Sequence, residues 1–428
     1  MINNQNHSRH PELDSRHSVL DTESKTPKLR FKEFSGEWKE KKLGDVAKIS
    51  AGGTPSRTNQ NYWNGHIPWV STTLIDFNTI NETDELITEE GLKNSSAKLF
   101  PIGTILMAMY GQGKTRGKVG LLGIEASTNQ ACGAIIADDT KLISLFLFQN
   151  LAKRYDEIRD LSNQGGQENL SGGIIKAIPI SFPSKPEQQK IASFLSAIDT
   201  KIDQMTRKKV LLEQYKKGVM QKIFSQELRF KADDGSEFPK WEEKILGDLI
   251  EIVVDNRGKT PPIAEDGIAL IEVNAIGNKQ INYSKITKFV TDDTHNTWFR
   301  KYLKNGDVLF STVGQTAICS IYLDDVKAVI AQNIVGLRFC SDDFVFMYYM
   351  LTELNNHRKF KAIEMGAVQP SIKVSQMIEL QFFVPKSVEE QTKIANFLSA
   401  IDTKIDLVTK QLEEVKQFKK ALLQQMFV

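Results

Sequence analysis

Two stretches of this 428-residue chain are nearly the same. EQQKIASFLSAIDTKID, from Glu187 to Asp203, returns as EQTKIANFLSAIDTKID, from Glu390 to Asp406, with 15 of 17 positions identical at an offset of 203. Chance does not produce such a match, so the fold must hold two equivalent units. The same offset relates Trp38 to Trp241, and Leu43, Gly44, Asp45 and Val46 to Leu246, Gly247, Asp248 and Leu249. It also relates Gly103 and Gly111 to Gly306 and Gly314. The repeat is therefore a whole domain plus its helix. Between these anchors the halves diverge: SAGGTPSRTNQNYWNGHIPWV stands where the second half has VVDNRGKTPPIAEDGIALIEV. A constant frame carrying two different inserts is expected.

The repeated stretches open long helices. Ser184 with Glu187, and Ser387 with Glu390, match the Ser-x-x-Glu capping box that satisfies free amides at a helix start. From there Ile191, Leu195, Ile198, Ile202, Met205, Lys209, Leu212, Lys216, Val219 and Ile223 follow alternating steps of four and three. Ile394, Leu398, Ile401, Ile405, Val408, Leu412, Val415, Lys419, Leu422 and Met426 repeat the pattern. Both read as coiled-coil seams. Gly218 falls off the seam and should cost only about 1 kcal/mol relative to alanine. A helix of about 40 residues is roughly 60 Å long and suits a spacer. Packing of the two helices on each other, antiparallel, is the simplest way to bury both seams; homodimerisation through the same seams is the alternative.

Each half predicts mixed α and β structure. Apolar runs at Ile105–Met109 and Val308–Phe310 read as strands, Leu142–Arg159 and Phe344–Ala362 as helices, and IPISFP and LQFFVP as closing strands. Polar loops, SNQGGQENLSGG from Ser162 and EMGAVQPSIKVS from Glu364, precede those closing strands. Loops rich in Gln, Asn, Ser and Lys suit base-edge reading, because amides pair bidentately with adenine and long cations with guanine or phosphate. Lys114, Arg116 and Lys118 form one local basic cluster, Arg257 and Lys259 another.

Composition narrows the function classes. Lysine and arginine total 55 against 53 acids, so any basic surface is local rather than global. No run approaches the roughly 18 apolar residues of a membrane span, and the polar N-terminus is unlike a signal peptide. Cys132, Cys319 and Cys340 form no CxxC pair and stand in apolar sequence, as reduced thiols of a cytoplasmic protein would. The scattered histidines predict no metal site. AMYGQGKT, Ala108 to Thr115, imitates a phosphate-binding loop, but RGKVGLLG follows it where a helix is required. The one Pro-Pro pair lies between Thr260 and Ile263, not after the Asn or Asp of an adenine methyltransferase motif. No catalytic residues are expected.

With the repeated helices, the two LGD-type starts, GGTPS at Gly52–Ser56 and the Ile-Pro or Val-Pro exit strands, the chain resembles a specificity subunit of type I restriction-modification enzymes. The resemblance covers nearly everything after Lys28. It implies an α+β fold of two mixed α/β target recognition domains, separated by an antiparallel coiled coil of two long helices with internal pseudo-twofold symmetry. The expected boundaries are a disordered polar tail at 1–27, a first recognition domain at 28–183, its helix at 184–228, a second recognition domain at 229–386 and its helix at 387–428. The resemblance also implies a split double-stranded DNA target, two methyltransferase subunits and translocating endonuclease subunits as partners. S-adenosylmethionine would belong to the former, ATP and Mg to the latter, and no cofactor to this chain. Candidate DNA-reading residues are Arg57, Lys114, Arg116, Gln167 and Asn169 in the first half, with Arg257, Lys259, Gln315, Gln369 and Lys373 in the second. Asp199, Lys201, Asp203, Asp402, Lys404 and Asp406 are expected to contact the methyltransferase. A two-headed adaptor that binds proteins, and an enzyme using the phosphate-like loop, are the competing readings.

Overall fold

The computed structural model describes residues 26–111, 114–161, 169–256, 260–323, 326–340 and 342–428. It comprises two compact units, residues up to 203 with 413–428, and residues 204–412, so each long helix is shared between them.

In the first unit the strands are β1 (Lys39–Lys42), β2 (Ala47–Ala51), β3 (Trp63–Val70), β4 (Thr79–Ile80), β5 (Glu85–Ile87), β6 (Ile105–Ala108), β7 (Val119–Leu122), β8 (Ser127–Thr128), β9 (Cys132–Ala137) and β10 (Pro179–Phe182). A central sheet runs β2-β9-β6-β7-β4, a smaller one β5-β3-β8, and β1 pairs with β10. β6 is buried at every position, which explains its unbroken ILMA run. The second unit repeats this plan with β11 (Glu242–Ile245), β12 (Ile250–Asp255), β13 (Ile268–Ile271), β14 (Phe289–Val290), β15 (Val308–Ser311), β16 (Cys319–Ile321), β17 (Ala328–Ile330), β18 (Ile334–Phe339) and β19 (Gln381–Val384). Its sheets run β12-β18-β15-β16, β14-β13-β17 and β11-β19.

The divergent inserts thus fold alike. Val70 of β3 lies opposite Thr128 of β8 in a parallel pair, and Ile271 of β13 lies opposite Ile330 of β17 in another. Backbone pairing fixes this arrangement, so IPWV and IALI can fill the same place.

Two elements differ from the sequence reading. The helix expected over Leu142–Arg159 breaks into Ser144–Lys153 and Tyr155–Asp160, and the one over Phe344–Ala362 into Phe344–Thr352 and Leu354–Ala362. In the second case Glu353 turns extended (ψ 139°) and its carboxylate accepts from the Asn355 and Asn356 amides, capping a new helix. Cys340 is exposed, unlike the buried Cys132 and Cys319. Burial pushes the Cys132 thiol up to about 12.

The long helices span Lys185–Phe224 and Val388–Met426. All twenty seam positions are buried or half-buried. The capping-box carboxylates, however, do not reach back to their caps. Glu187, 1% exposed, takes a forked pair of bonds from Arg30 at 2.7 and 2.8 Å. Glu390, 0% exposed, is held by Arg229 at 2.9 and 3.0 Å and also accepts from Trp241 Nε1 at 3.1 Å. Buried carboxylates require such partners. Each arginine belongs to a Leu-Arg-Phe triplet, and the phenylalanines stack edge-on against the helix roots, Phe31 on Phe194 and Phe230 on Phe397.

A helix end completes each core. In the first unit Phe427 packs with Trp38 and Phe146; in the second Phe224 packs with Trp241 and Phe346. The seam lysines have partners as well: Lys419 pairs with Asp199 within the first unit, and Lys216 with Asp402 at 2.5 Å within the second.

Candidate nucleic-acid interface

One edge of each central sheet gathers the polar loops. In the first unit β2 ends where β9 begins, with Ala51 opposite Gly133, and β6 ends there too, with Ala108 opposite Cys132. The turn entering β9 closes through Cys132 N–H to the Asn129 carbonyl, and Met109 N–H donates to the Ala131 carbonyl at 2.8 Å. Leu170 N–H then donates to the Met109 carbonyl at 3.0 Å, bringing in the end of the loop that begins at Ser162. Loops far apart in sequence therefore meet along one rim.

The second unit builds the same rim. Asp255 lies opposite Val335 and Ser311 opposite Ile334. Ile334 N–H donates to Ala331, Thr312 N–H to Asn333 at 2.8 Å and Ile372 N–H to Thr312 at 2.8 Å. Residues Met365 to Ser371 form a small hairpin closed by two backbone bonds between those residues, and Gly314 N–H ties it to the rim through the Pro370 carbonyl. Its tip carries Val368, fully exposed, and Gln369. Gln332, Asn333, Gln369 and Thr260 share the lining of a cavity of about 600 Å³ with Pro261 and Leu270.

The predicted readers mostly fall on these rims. Lys114 and Asn169 are exposed and Arg116 half-buried in the first unit; Gln315, Gln369 and Lys373 are exposed in the second. Gln167, Arg257 and Lys259 lie outside the described residues. Arg57 has a different setting. Its guanidinium lies 3.8 Å over the Trp63 ring and makes a forked pair with Glu85, which holds the Glu85 carboxyl below its usual range. Trp63 and Trp69 in turn donate to the Ser56 and Gly53 carbonyls. GGTPS is thus the base of an aromatic clamp. A side chain at Gly52 would drive into the Thr128 and Asn129 carbonyls, so only glycine allows that approach.

The phosphate-loop imitation is not built as one: strand β7, not a helix, follows Lys114–Lys118. Among the described residues there is no helix start here that would turn free amides toward a phosphate. Lys118 instead pairs with Asp76 at 2.6 Å.

Of the six helix residues expected to meet a partner, Lys201, Asp203, Lys404 and Asp406 are exposed. Asp199 and Asp402 are part-buried and engaged by Lys419 and Lys216, and Asp402 accepts from Tyr349 Oη as well. No helix among the described residues is long and apolar enough to cross a membrane.

Comparison with known proteins places both halves together. The family model described as type I restriction modification DNA specificity domain matches residues 35–214 and again 239–417. A type I restriction enzyme specificity subunit of Methanocaldococcus jannaschii is 24% identical over 411 residues, covering 92% of this chain and 94% of that protein. Another from Escherichia coli is 30% identical over 183 residues, 42% of this chain and 44% of its own length. The crystal structure of a type I restriction-modification S subunit from M. genitalium has the same fold, with a TM-score of 0.60 at 16% identity over 94% of this chain and 99% of that one.

Proposed function

The chain belongs to the type I restriction-modification DNA specificity subunits, a non-catalytic DNA-recognition family that assembles with other subunits of its system, and on that premise we propose that each unit reads one word of a split DNA target. The observation that carries this reading is the pair of rims. Equivalent main-chain hydrogen bonds hold loops of different side chains at equivalent sheet edges. One docking frame with two sets of base-facing groups suits an asymmetric, bipartite sequence.

The long helices act as the spacer, lying antiparallel so that their seams cover each other. Each pairing of a seam lysine with an aspartate flanking the other helix's seam, Lys419 with Asp199 and Lys216 with Asp402, supports a fixed register. Two methyltransferase subunits dock on the repeated helix faces, because repeated surfaces each accept one copy of the same partner. Exposed Lys201, Asp203, Lys404 and Asp406 contribute, and so do Tyr215 and Phe418, related by the same offset and 53% and 55% exposed. Adenine N6 methylation with S-adenosylmethionine is then the partners' chemistry. Cleavage of unmethylated DNA, with ATP and Mg, belongs to endonuclease subunits joining the complex in the cytoplasm.

Methylome sequencing of a host carrying this chain with its methyltransferase partner tests the reading. One asymmetric motif of two short words around a constant unread gap is expected. A contiguous palindromic motif, or no motif, would refute it.

A further inference from the structure

Among the described residues, the turns that enter β9 and β18 differ on both sides but share their middle side chain. Strand pairing aligns Ala134 with Gly336 and Cys132 with Ile334, since these residues face equivalent partners in β6 and β15. That register places Asn129 opposite Ala331 and Ala131 opposite Asn333 in the two turns. Between them stand Gln130 and Gln332, both exposed. Their neighbours across the rim differ too, Met109 against Thr312 and Leu170 against Ile372.

Backbone bonds on both sides fix each glutamine's position. The turn is closed by Cys132 N–H to Asn129 in one unit and Ile334 N–H to Ala331 in the other. It is tied to the β3 and β13 ends by Asn129 N–H to Val70 and Ala331 N–H to Ile271. In the first unit Thr54 Oγ1 of GGTPS also donates to Gln130 Oε1. A carbonyl oxygen has two lone pairs, so Gln130 keeps one acceptor site and both amide donors. In the second unit Gln332 stands at the cavity it shares with Gln369.

An amide carried on a fixed turn can accept from adenine N6 and donate to adenine N7 at once, a pairing no other base offers in the major groove. We propose that Gln130 and Gln332 each read one adenine·thymine pair, at equivalent positions of the two words. This rests on the DNA-reading role above and adds to it a base identity and the residues that determine it.

The test uses the full chain assembled with its methyltransferase subunits, selecting from a duplex library randomised across the target. The wild type should select an adenine·thymine pair at equivalent positions in both words. Gln130→Ala should relax that position in the first word alone, and Gln332→Ala in the second alone, each losing about 10- to 100-fold discrimination, the range of one bidentate pair. Gln332→Glu should move the preference toward cytosine, whose N4 donates to a carboxylate. Unchanged Tm and assembly would show that the variants fold. Variants that bind but select the wild-type words, or that weaken every sequence equally, would overturn the proposal. A wild type that selects no words at all would instead overturn the DNA-reading role itself.

Discussion

Removing the buried carboxylate at each helix root should reveal a difference between the otherwise matching units. Glu390→Ala removes the carboxylate that Arg229 and Trp241 Nε1 share, leaving Arg229 its Phe238 and Pro239 carbonyls, whereas Glu187→Ala removes one used by Arg30 without the tryptophan, because Trp38 Nε1 has no partner among the described residues. Breaking a buried ion pair costs about 3–5 kcal/mol. Arg229 and Arg30 keep 22% and 16% of their side-chain surface in water, which favours the lower end for both. Orphaning the buried Trp241 N–H adds about 1–2 kcal/mol in the second unit alone. Hydrogen exchange in the full-length protein, followed on peptides from the first turns of each long helix, reads the two opening free energies separately. Glu390→Ala should lower its own by about 1–2 kcal/mol more than Glu187→Ala lowers its own. A Trp241→Phe background should erase the excess. Equal losses in the two units, or an excess that survives Trp241→Phe, would refute the reasoning.

Two further outcomes follow from charges inside the second unit. Burial holds the His357 imidazole below its usual pKa. The unfolded chain therefore takes up that proton first, so stability should fall as pH drops below about 6.5 and level off below the folded-state value. His357→Gln should flatten that slope in pH-dependent denaturation, and an unchanged slope would assign it to other groups. Lys216→Met should strand Asp402 beside Tyr349 and lower Tm, while Lys216→Met with Asp402→Leu should recover most of the loss, since an unpaired buried charge costs more than the pair is worth. A double variant no better than the single one would remove that account.

Much of this architecture is readable before any coordinates. The seam periodicity identified twenty positions that are all shielded, including the lysines at 209, 216 and 419. The apolar runs at Ile105–Met109 and Val308–Phe310 and the two closing strands also agree, falling on β6, β15, β10 and β19. What escaped has physical causes. The Leu-Arg-Phe clasp repeats at 29–31 and 228–230, an offset of 199 rather than 203, because the stretch from arginine to tryptophan is four residues longer in the second unit. The shared glutamine escaped for a similar reason: the constant offset sets Gln130 against Asn333, and only strand register restores its true counterpart. Arg57 is a cation on a polar loop by sequence, and its partner Glu85 lies 28 residues away. Composition gave no signal of that clamp.

The rims are held together by main-chain atoms, Met109 N–H to Ala131, Leu170 N–H to Met109 and their counterparts. Any residue but proline donates such a bond, so the loops keep their places whatever side chains they display. Exposed substitutions there should change stability by no more than about 0.5 kcal/mol. On the proposed reading of DNA by the rims, inheritance of shape is thereby separated from inheritance of preference: a lineage could drift through successive vocabularies without passing through misfolded ancestors.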